Sequence, residues 1–287
     1  MHFNGIFYAL SAAFFFGLIP TLTKISYSSG ASPEIAIISR YFLASLIIII
    51  PFLKIIKNFK NIKKYLISLL ILSFGSICLT CGLLISVIFI PVSLVALIFY
   101  TYPLFVLIYA FVLGKKLNIF QIGGFIFAFI GLGIALGPNF ESLNIFGILL
   151  AFLAATGAAT VLIVNEHLAD HFHAITLNAF VNFSCLITFS TIILLNFDLD
   201  TNLEINGWLF IVFASLCYCI AFYVQLIAVK NMGSARTSLI LYFEPIVAIV
   251  SAIILLKESL SLTQIIGTII VITSIILTTK QLQIKKN

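Results

Sequence analysis

The sequence predicts an all-α integral membrane protein with ten membrane-spanning helices, arranged as two inverted repeats of five helices each. The first observation is composition, because 62% of the 287 residues are hydrophobic and 8% are charged, whereas soluble domains carry about a quarter charged residues. The second is length, because apolar runs of the roughly 20 residues that cross a bilayer fill most of the chain. The third is an internal repeat that divides the chain into two halves.

The repeat is clearest in two short apolar stretches. Leu239–Pro245 carries Leu, Ile, Tyr and Pro in the same register as Leu97–Pro103, at an offset of 142 residues. The same offset relates Gly5 to Gly147. The N-terminal stretch therefore has an internal copy, and it also lacks the basic residues that begin a secretory signal. We interpret it as the first span rather than as a cleaved signal.

Hydrophobic runs and the polar residues that flank them predict ten helices. In the first repeat, residues 1–138, the predicted spans are Gly5–Thr23, Glu34–Leu53, Tyr65–Ile85, Val92–Leu113 and Ile119–Leu136. In the second repeat, residues 139–287, they are Ile145–Val164, Ile175–Leu195, Trp208–Val229, Ala235–Leu256 and Leu262–Thr278. Because five is odd, the second repeat enters the membrane from the opposite side, which is a common plan among secondary transporters.

Basic residues set the predicted orientation. With the N-terminus in the cytoplasm, the inner loops and the C-terminal tail hold twelve Lys and Arg residues, against Lys24 and Lys257 outside. The positive-inside rule therefore places both termini in the cytoplasm. The net charge of +6 is spread over these loops, so no nucleic-acid partner is predicted. The Ile-, Lys-, Asn- and Phe-rich composition suggests an AT-rich bacterial genome, and hence a bacterial plasma (inner) membrane.

Glu244 is the acid at membrane depth, inside the ninth predicted span. A carboxylate there costs several kcal/mol unless it is paired, protonated or facing water. It is therefore a candidate to bind a substrate amine or a proton, and the alternative is that it satisfies a neighbouring helix. Arg40 and Lys24 are its candidate partners, although both side chains are long enough to reach the outer interface instead.

Five aromatic or amide side chains are candidates for lining a substrate cavity, since such groups supply flat faces and hydrogen-bond partners: Tyr100, Tyr102, Tyr223, Gln225 and Tyr242. The repeat makes Tyr100 and Tyr242 equivalent, which strengthens both. The chain is 14% aromatic, however, so packing or interface anchoring is the alternative for each. Three prolines remove a backbone donor from a predicted span and are candidate hinges, namely Pro20, Pro103 and Pro245.

Two other polar patterns are weaker. His167 and His171 have the i, i+4 spacing that can grip a metal, but the cluster from Asn165 to His173 is predicted to lie in a solvated cytoplasmic loop. Cys78 and Cys81 have redox or zinc spacing, but within an apolar span. We therefore predict neither a metal site nor a disulfide framework, and no cofactor.

Several stretches, taken in their order along the chain, resemble one transporter family. They are the first span and its exit from Ala12 to Lys24, Arg40 early in the second span, the stretch from Pro91 to Pro103, and Leu239–Pro245 followed by Lys257-Glu258. Together they resemble the EamA-type members of the drug/metabolite transporter superfamily. Lys115-Lys116 departs from the pattern, since the family usually has a glutamate there, which only the second copy keeps. The resemblance implies alternating-access transport, often export, of amino acids or other small metabolites.

Three functions compete at this level. A secondary transporter needs a small-molecule substrate and a lipid bilayer, with protons and a second copy of the chain as further candidate partners. An intramembrane enzyme would need several ionisable groups at one depth, and the spans offer little beyond Glu244 and Arg40, so no enzyme is predicted. A non-transporting membrane scaffold or sensor, and a transporter of nucleotide-like metabolites, are the alternatives that stay open.

Overall fold

The computed structural model describes residues 2–55, 62–114, 119–137, 143–196, 203–257, 259 and 261–284. Every regular element in these ranges is helical, as predicted. In chain order the helices are α1 His2–Ser28, α2 Pro33–Ile55, α3 Ile62–Phe89, α4 Val92–Phe99, α5 Tyr102–Val112, α6 Ile119–Leu136, α7 Ile145–Leu168, α8 Ala174–Asn196, α9 Ile205–Met232, α10 Ser234–Ile240, α11 Glu244–Leu256 and α12 Leu262–Ile284. A 3₁₀ turn, Leu241–Phe243, joins α10 to α11.

The helices have the length and surface of membrane spans. Within the described residues, eight helical stretches of 21 to 28 residues are apolar enough to cross a bilayer, and α6 and α12 contribute shorter apolar stretches, Ile122–Leu136 and Leu262–Leu277. Large apolar side chains also face outward, with Phe7 64% and Ile67 74% exposed. A water-soluble monomer rarely presents such a surface, whereas a lipid bilayer stabilises it.

Close helix pairs hold the bundle together through small residues. A Cβ placed on Gly157 of α7 would lie 2.6 Å from the carbonyl oxygen of Gly75 in α3, and one placed on Gly82 would lie 2.6 Å from the carbonyl oxygen of Leu150. A Cβ placed on Gly5 of α1 would lie 3.2 Å from the side-chain Cβ of Met232 in α9. Small residues allow backbones in membranes to approach this closely, so these helix pairs form tight contacts.

Two large buried clusters lie between the helices. The first surrounds the junctions of α4 with α5 and of α10 with α11, and includes Tyr100, Tyr102 and Tyr242. The second lies between α2, α8 and α9, where the Tyr41 ring stacks on Phe189 with centroids 5.5 Å apart. Phe16 of α1 packs against both clusters.

Two of the predicted spans are broken near their middle. The stretch Val92–Val112 is interrupted at Tyr100 and Thr101, and Ser234–Leu256 is interrupted by the 3₁₀ turn. Pro103 and Pro245 occupy the first turn of the helices that follow, where a missing N–H is tolerated and the proline ring disfavours an α-helical turn before it. Pro20, by contrast, lies inside the continuous helix α1.

Candidate functional site

Glu244 lies where the second broken helix resumes. It is the first residue of α11, directly after the 3₁₀ turn, and it sits near the middle of the apolar stretch Ser234–Leu256. Two residues before it, the hydroxyl of Tyr242 donates a hydrogen bond to the carbonyl of Tyr100, from the first broken helix, at 3.0 Å. The acid therefore lies next to a contact between the two halves of the chain.

Three tyrosines surround this contact, and all are buried: Tyr100, Tyr102 and Tyr242. The rings of Tyr100 and Tyr242 have centroids 6.3 Å apart and an interplanar angle of 37°, and the Tyr100 and Tyr102 rings are equally far apart at 6.3 Å. They form a buried aromatic cluster next to the second break, where Glu244 lies. Flat aromatic faces and an acid are groups from which small-molecule sites are built.

The Tyr242 hydroxyl satisfies a backbone group that the break leaves open. In a continuous helix the carbonyl of Tyr100 would accept from the amide of Leu104, but that amide donates to Thr101 instead, at 2.9 Å. The hydroxyl of Tyr242 donates to the Tyr100 carbonyl at 3.0 Å. Buried backbone groups need such partners, so Tyr242 stabilises the break in the other half of the chain.

Helix α1 covers one side of this site. A Cβ on Gly17 would lie 2.5 Å from the carbonyl oxygen of Glu244 and 2.6 Å from the Cβ of Val247, so a glycine is required for α1 to lie this close. One turn further, the hydroxyls of Thr21 and Ser251 are hydrogen-bonded at 2.6 Å. We call this contact of Gly17 and Thr21 with α11 the α1–α11 seam.

Arg40 lies in the second cluster. Its guanidinium carbon is 5.4 Å from the centroid of the Tyr218 ring, a distance typical of a cation–π contact. The Tyr218 ring stacks in turn on Phe222, with centroids 5.8 Å apart. The structure thus places Arg40 on an aromatic surface, with Phe16 between the two clusters. Its predicted pairing with Glu244 stays a prediction.

The remaining predicted site residues are dispersed. Lys24 is exposed near the end of α1. Tyr223 is partly buried and packs against the second cluster, and Gln225, two residues further along α9, is buried. The structure therefore gathers Glu244, Tyr100, Tyr102 and Tyr242 in one place, and leaves the other candidates outside it.

Glu166 has a role that the sequence did not indicate. Its carboxylate accepts hydrogen bonds from the backbone amide of Ser234, at 3.1 Å, and from the Ser234 hydroxyl. It therefore caps the first turn of α10. The prediction that Asn165 and Glu166 lie in a solvated loop was wrong, because α7 continues to Leu168. Gly233 was the available signal for the boundary at Ser234, since a glycine just after a helix marks its end.

The histidines nearby pack with an aromatic ring. The imidazole of His171 stacks on Tyr65 with centroids 4.4 Å apart, and His167 lies 6.3 Å from the same ring. In the part of the chain that the structure describes, no group of three or more His, Cys, Asp or Glu side chains is placed to hold a metal.

The fold and the site together define a multi-pass membrane protein built around two broken helices and one acid at membrane depth. The model of the EamA-like transporter family matches the chain twice, over residues 3–137 and 145–280. The chain belongs to this family, which is part of the drug/metabolite transporter superfamily.

The chain was also compared with solved structures and with curated protein sequences. A solved crystal structure, described only as a protein, superposes with a TM-score of 0.86 over 100% of both chains, at 14% sequence identity. Identity this low shows that the fold is shared. No curated protein sequence matches the chain. Family membership makes the protein a membrane transporter of the drug/metabolite type, embedded in lipid and acting on a small molecule.

Proposed function

We propose that the protein is a secondary transporter that exports or exchanges small metabolites such as amino acids by alternating access. The observation that carries this proposal is the hydrogen bond from the Tyr242 hydroxyl to the Tyr100 carbonyl. It joins two apolar stretches that are both broken near their middle, and Glu244 lies directly after the second break. Transporters bind substrates where discontinuous helices of two repeats meet. An acid at that place can hold the amine of a substrate or a coupling proton.

The proposal includes ten crossings, made by two inverted five-helix repeats, residues 1–138 and 139–287. Contacts that recur at the repeat offset support it. A Cβ on Gly5 would lie 3.2 Å from the Cβ of Met232, and one on Gly147 would lie 3.0 Å from Cγ2 of Ile90. Each glycine and each partner is the repeat equivalent of the other, so the same contact is made twice. This is the contact pattern that two repeats related by a two-fold axis produce.

The loop charges support the orientation that we propose, with both termini in the cytoplasm of a bacterial cell and the protein in its inner membrane. The substrate is proposed to reach Glu244 from one side of the membrane at a time. Pro103 and Pro245 are proposed to act as hinges, since the α-helical hydrogen-bond pattern is interrupted just before each of them. We also propose that transport is coupled to protons and that two copies of the chain form a dimer.

The test is counterflow in proteoliposomes. Purified protein is reconstituted with a saturating unlabelled amino-acid mixture inside, and uptake of the radiolabelled mixture is measured at two pH values. We expect saturable uptake by the wild type, and at least a tenfold loss in Glu244→Gln. The matched control is Glu204→Gln, which makes the same chemical change at an exposed acid that precedes α9, and which should transport normally.

Each outcome has a distinct meaning. Wild-type activity that Glu244→Gln leaves intact would remove Glu244 from the site and keep the transporter proposal. Silent wild-type protein, shown to be folded, would contradict amino acids as the substrate class. The same vesicles loaded with nucleotides then test the second candidate, for which the Arg40 guanidinium on the Tyr218 ring offers a cationic and aromatic surface.

A further inference from the structure

A groove lies between α1 and α12, on the N-terminal side of the α1–α11 seam, and leads to the second broken helix. It encloses about 580 Å³. Its α1 wall extends from Ile6 to Phe15 and its α12 wall from Ile272 to Ile276, and Ile240 and Phe243 line it between these walls. These two residues end α10 and the 3₁₀ turn. The groove therefore contacts the break that precedes Glu244.

The groove is open to the surroundings of the bundle and is almost wholly apolar. Phe7 and Ile276, on its two walls, are 64% and 45% exposed, whereas Ile240 is 1% exposed. Among the lining residues that the structure describes, Ser11 is the polar one. Water needs several polar partners to occupy a cavity, so the groove favours an apolar occupant.

The length of the groove matches one leaflet of a bilayer. At 1.5 Å per residue, the α1 wall from Ile6 to Phe15 spans about 14 Å, which is about half of the roughly 30 Å hydrocarbon core. It begins near one end of the apolar stretch Asn4–Ser28, and Phe243 lies near the middle of the stretch Ser234–Leu256. An acyl chain that extends from the interface to the midplane has this length and depth.

The aromatic lining of the groove is not part of the duplicated scaffold. Four phenylalanines line the groove, namely Phe7, Phe14, Phe15 and Phe243. The residues at the repeat offset are all non-aromatic, namely Leu149, Thr156, Gly157 and Thr101. At Gly157, moreover, α7 packs directly against α3. Phenylalanine rings offer large apolar faces, so this lining favours an apolar ligand that is particular to the groove.

The bilayer itself supplies such a ligand. Large apolar side chains beside the groove face outward, with Phe14 47% exposed, and lipid chains cover such a surface in a membrane. An empty groove would lose dispersion contacts along both walls. Phospholipid is also present at far higher concentration than any amphipathic solute, and occupancy of a site rises with ligand concentration. These arguments select a phospholipid chain as the occupant.

We propose that the groove binds one acyl chain of a phospholipid, and that this chain packs on Phe243 and stabilises the second break from outside the bundle. In the proposed orientation, with the N-terminus in the cytoplasm, the phospholipid belongs to the cytoplasmic leaflet. Tyr242 stabilises the same turn from inside, through its 3.0 Å hydrogen bond to the Tyr100 carbonyl. The break that precedes Glu244 is thus held by a protein contact on one side and by a lipid on the other.

The experiment is photolabelling by phospholipids. The protein is reconstituted in phosphatidylcholine vesicles that contain a small fraction of phosphatidylcholine with a diazirine at the end of one acyl chain. After irradiation and digestion, mass spectrometry locates the adducts. We expect adducts on Ile240 or Phe243. A second probe, with the diazirine beside the ester bond, should label Phe7 and spare Phe243, because the chain enters the groove from the interface.

Variants that fill the groove separate a bound chain from passing lipids. Ser11→Phe fills the groove from α1 and should lower labelling of Phe243 at least fivefold. Its matched control is Leu153→Phe, at the equivalent position of α7, where the side chain is 40% exposed, and it should leave labelling unchanged. Ile276→Trp fills the same groove from an exposed position of α12 and should give the same loss, so the test does not depend on the folding of Ser11→Phe. Size-exclusion profiles check each variant.

Three results would overturn the proposal. The first is labelling of Phe243 that neither groove-filling variant lowers, because passing lipids would then be its source. The second is the absence of adducts on Ile240 and Phe243, as expected if a helix of a second copy occupies the groove. The third is loss of Phe243 labelling on addition of dodecylamine at a small fraction of the phospholipid concentration, since an amphipathic substrate would then be the occupant.

The photolabelling needs no transported substrate, so the lipid site and the proposed function can fail separately. Silent counterflow would reject amino acids as the substrate class, and the adducts on Phe243 would still decide whether a lipid chain binds.

Discussion

The two broken helices are equivalent in sequence position and differ in chemistry. In the first, Tyr102 precedes Pro103; in the second, Glu244 precedes Pro245. Both breaks lie near the middle of apolar stretches of 21 and 23 residues. The scaffold is thus duplicated, whereas the charged group occurs once. In the proposed transport cycle, a single acid at one of two equivalent breaks changes its surroundings when the repeats exchange conformations, and a pair of identical acids would not.

The helices that pack against the two breaks also differ between the repeats. Helix α1 meets the second break at Gly17, and the equivalent position in α7 is Ala159, which is buried with its Cβ in place. Only the contact with Glu244 therefore requires the absence of a side chain. The comparison indicates that the acid-bearing break is packed more closely by its neighbouring helix than the tyrosine-bearing break is.

Gly17→Ala is the change with the largest expected effect. The added Cβ would lie 2.5 Å from the Glu244 carbonyl oxygen, and a backbone atom cannot yield as a flexible side chain does. Overpacking of this kind costs about 1–3 kcal/mol, and α1 would be pushed off the site. We expect a lower melting temperature in detergent and at least a tenfold loss of counterflow.

The control is the reverse change at the equivalent position of the other repeat. Ala159→Gly removes a Cβ from α7 and costs about 0.5–1 kcal/mol through helix propensity, so its counterflow should stay within twofold of wild type. If Gly17→Ala transported at the wild-type rate, transport would not require the close approach of α1 to α11. The difference in packing between the two breaks would then have no functional importance.

Tyr242→Phe has the next largest effect. It leaves the Tyr100 carbonyl without its 3.0 Å donor, and hydrogen bonds inside membrane proteins contribute about 0.6 kcal/mol on average and up to about 1.7 kcal/mol. We expect the upper part of this range, because the carbonyl is already deprived of its helical donor. Thermal unfolding in detergent measures the loss. Tyr109→Phe, at an exposed tyrosine of α5, should leave the melting temperature unchanged, and an equal drop in both would contradict the argument.

The spans and the breaks were predictable because they depend on local sequence. Apolar run length located the helices, and α6, predicted as Ile119–Leu136, has those bounds in the structure. Proline chemistry at Pro245 predicted an opened helix, and the 3₁₀ turn lies directly before it. The repeat singled out Tyr100 and Tyr242 before any contact was known, because equivalence at a fixed offset is a property of the sequence.

The partners of the charged groups were not predictable in the same way. The contact of the Arg40 guanidinium with the Tyr218 ring was not among the predictions, and the predicted pairing of Arg40 with Glu244 stays a prediction. Which side chains meet depends on which helices are neighbours and on how each helix is rotated about its axis. The hydropathy of the sequence contains no information on either. The same limit explains why the capping role of Glu166 was not predicted. Its partner Ser234 is 68 residues away, and it begins the helix α10, which a hydropathy profile does not separate from α11.

Glu166→Gln has the smallest expected effect. It tests how the two repeats differ near the end of the first helix of each. The equivalent of Glu166 is Lys24, so one repeat ends its first helix with an acid that caps α10, and the other ends it with an exposed base. Glutamine keeps an acceptor oxygen for the Ser234 amide but loses the charge, which roughly halves the strength of such a bond.

We therefore expect Glu166→Gln to lower stability by about 0.5 kcal/mol, a fraction of the roughly 0.5–2 kcal/mol that loss of a helix cap costs. Glu166→Ala, which removes the acceptor, should reach that full range. Glu204→Gln is the matched control, because Glu204 precedes α9 without a side-chain capping bond, and it should change the melting temperature little. Equal effects of Glu166→Gln and Glu166→Ala would mean that the charge alone holds α10, and that the hydrogen-bond geometry at Ser234 contributes nothing.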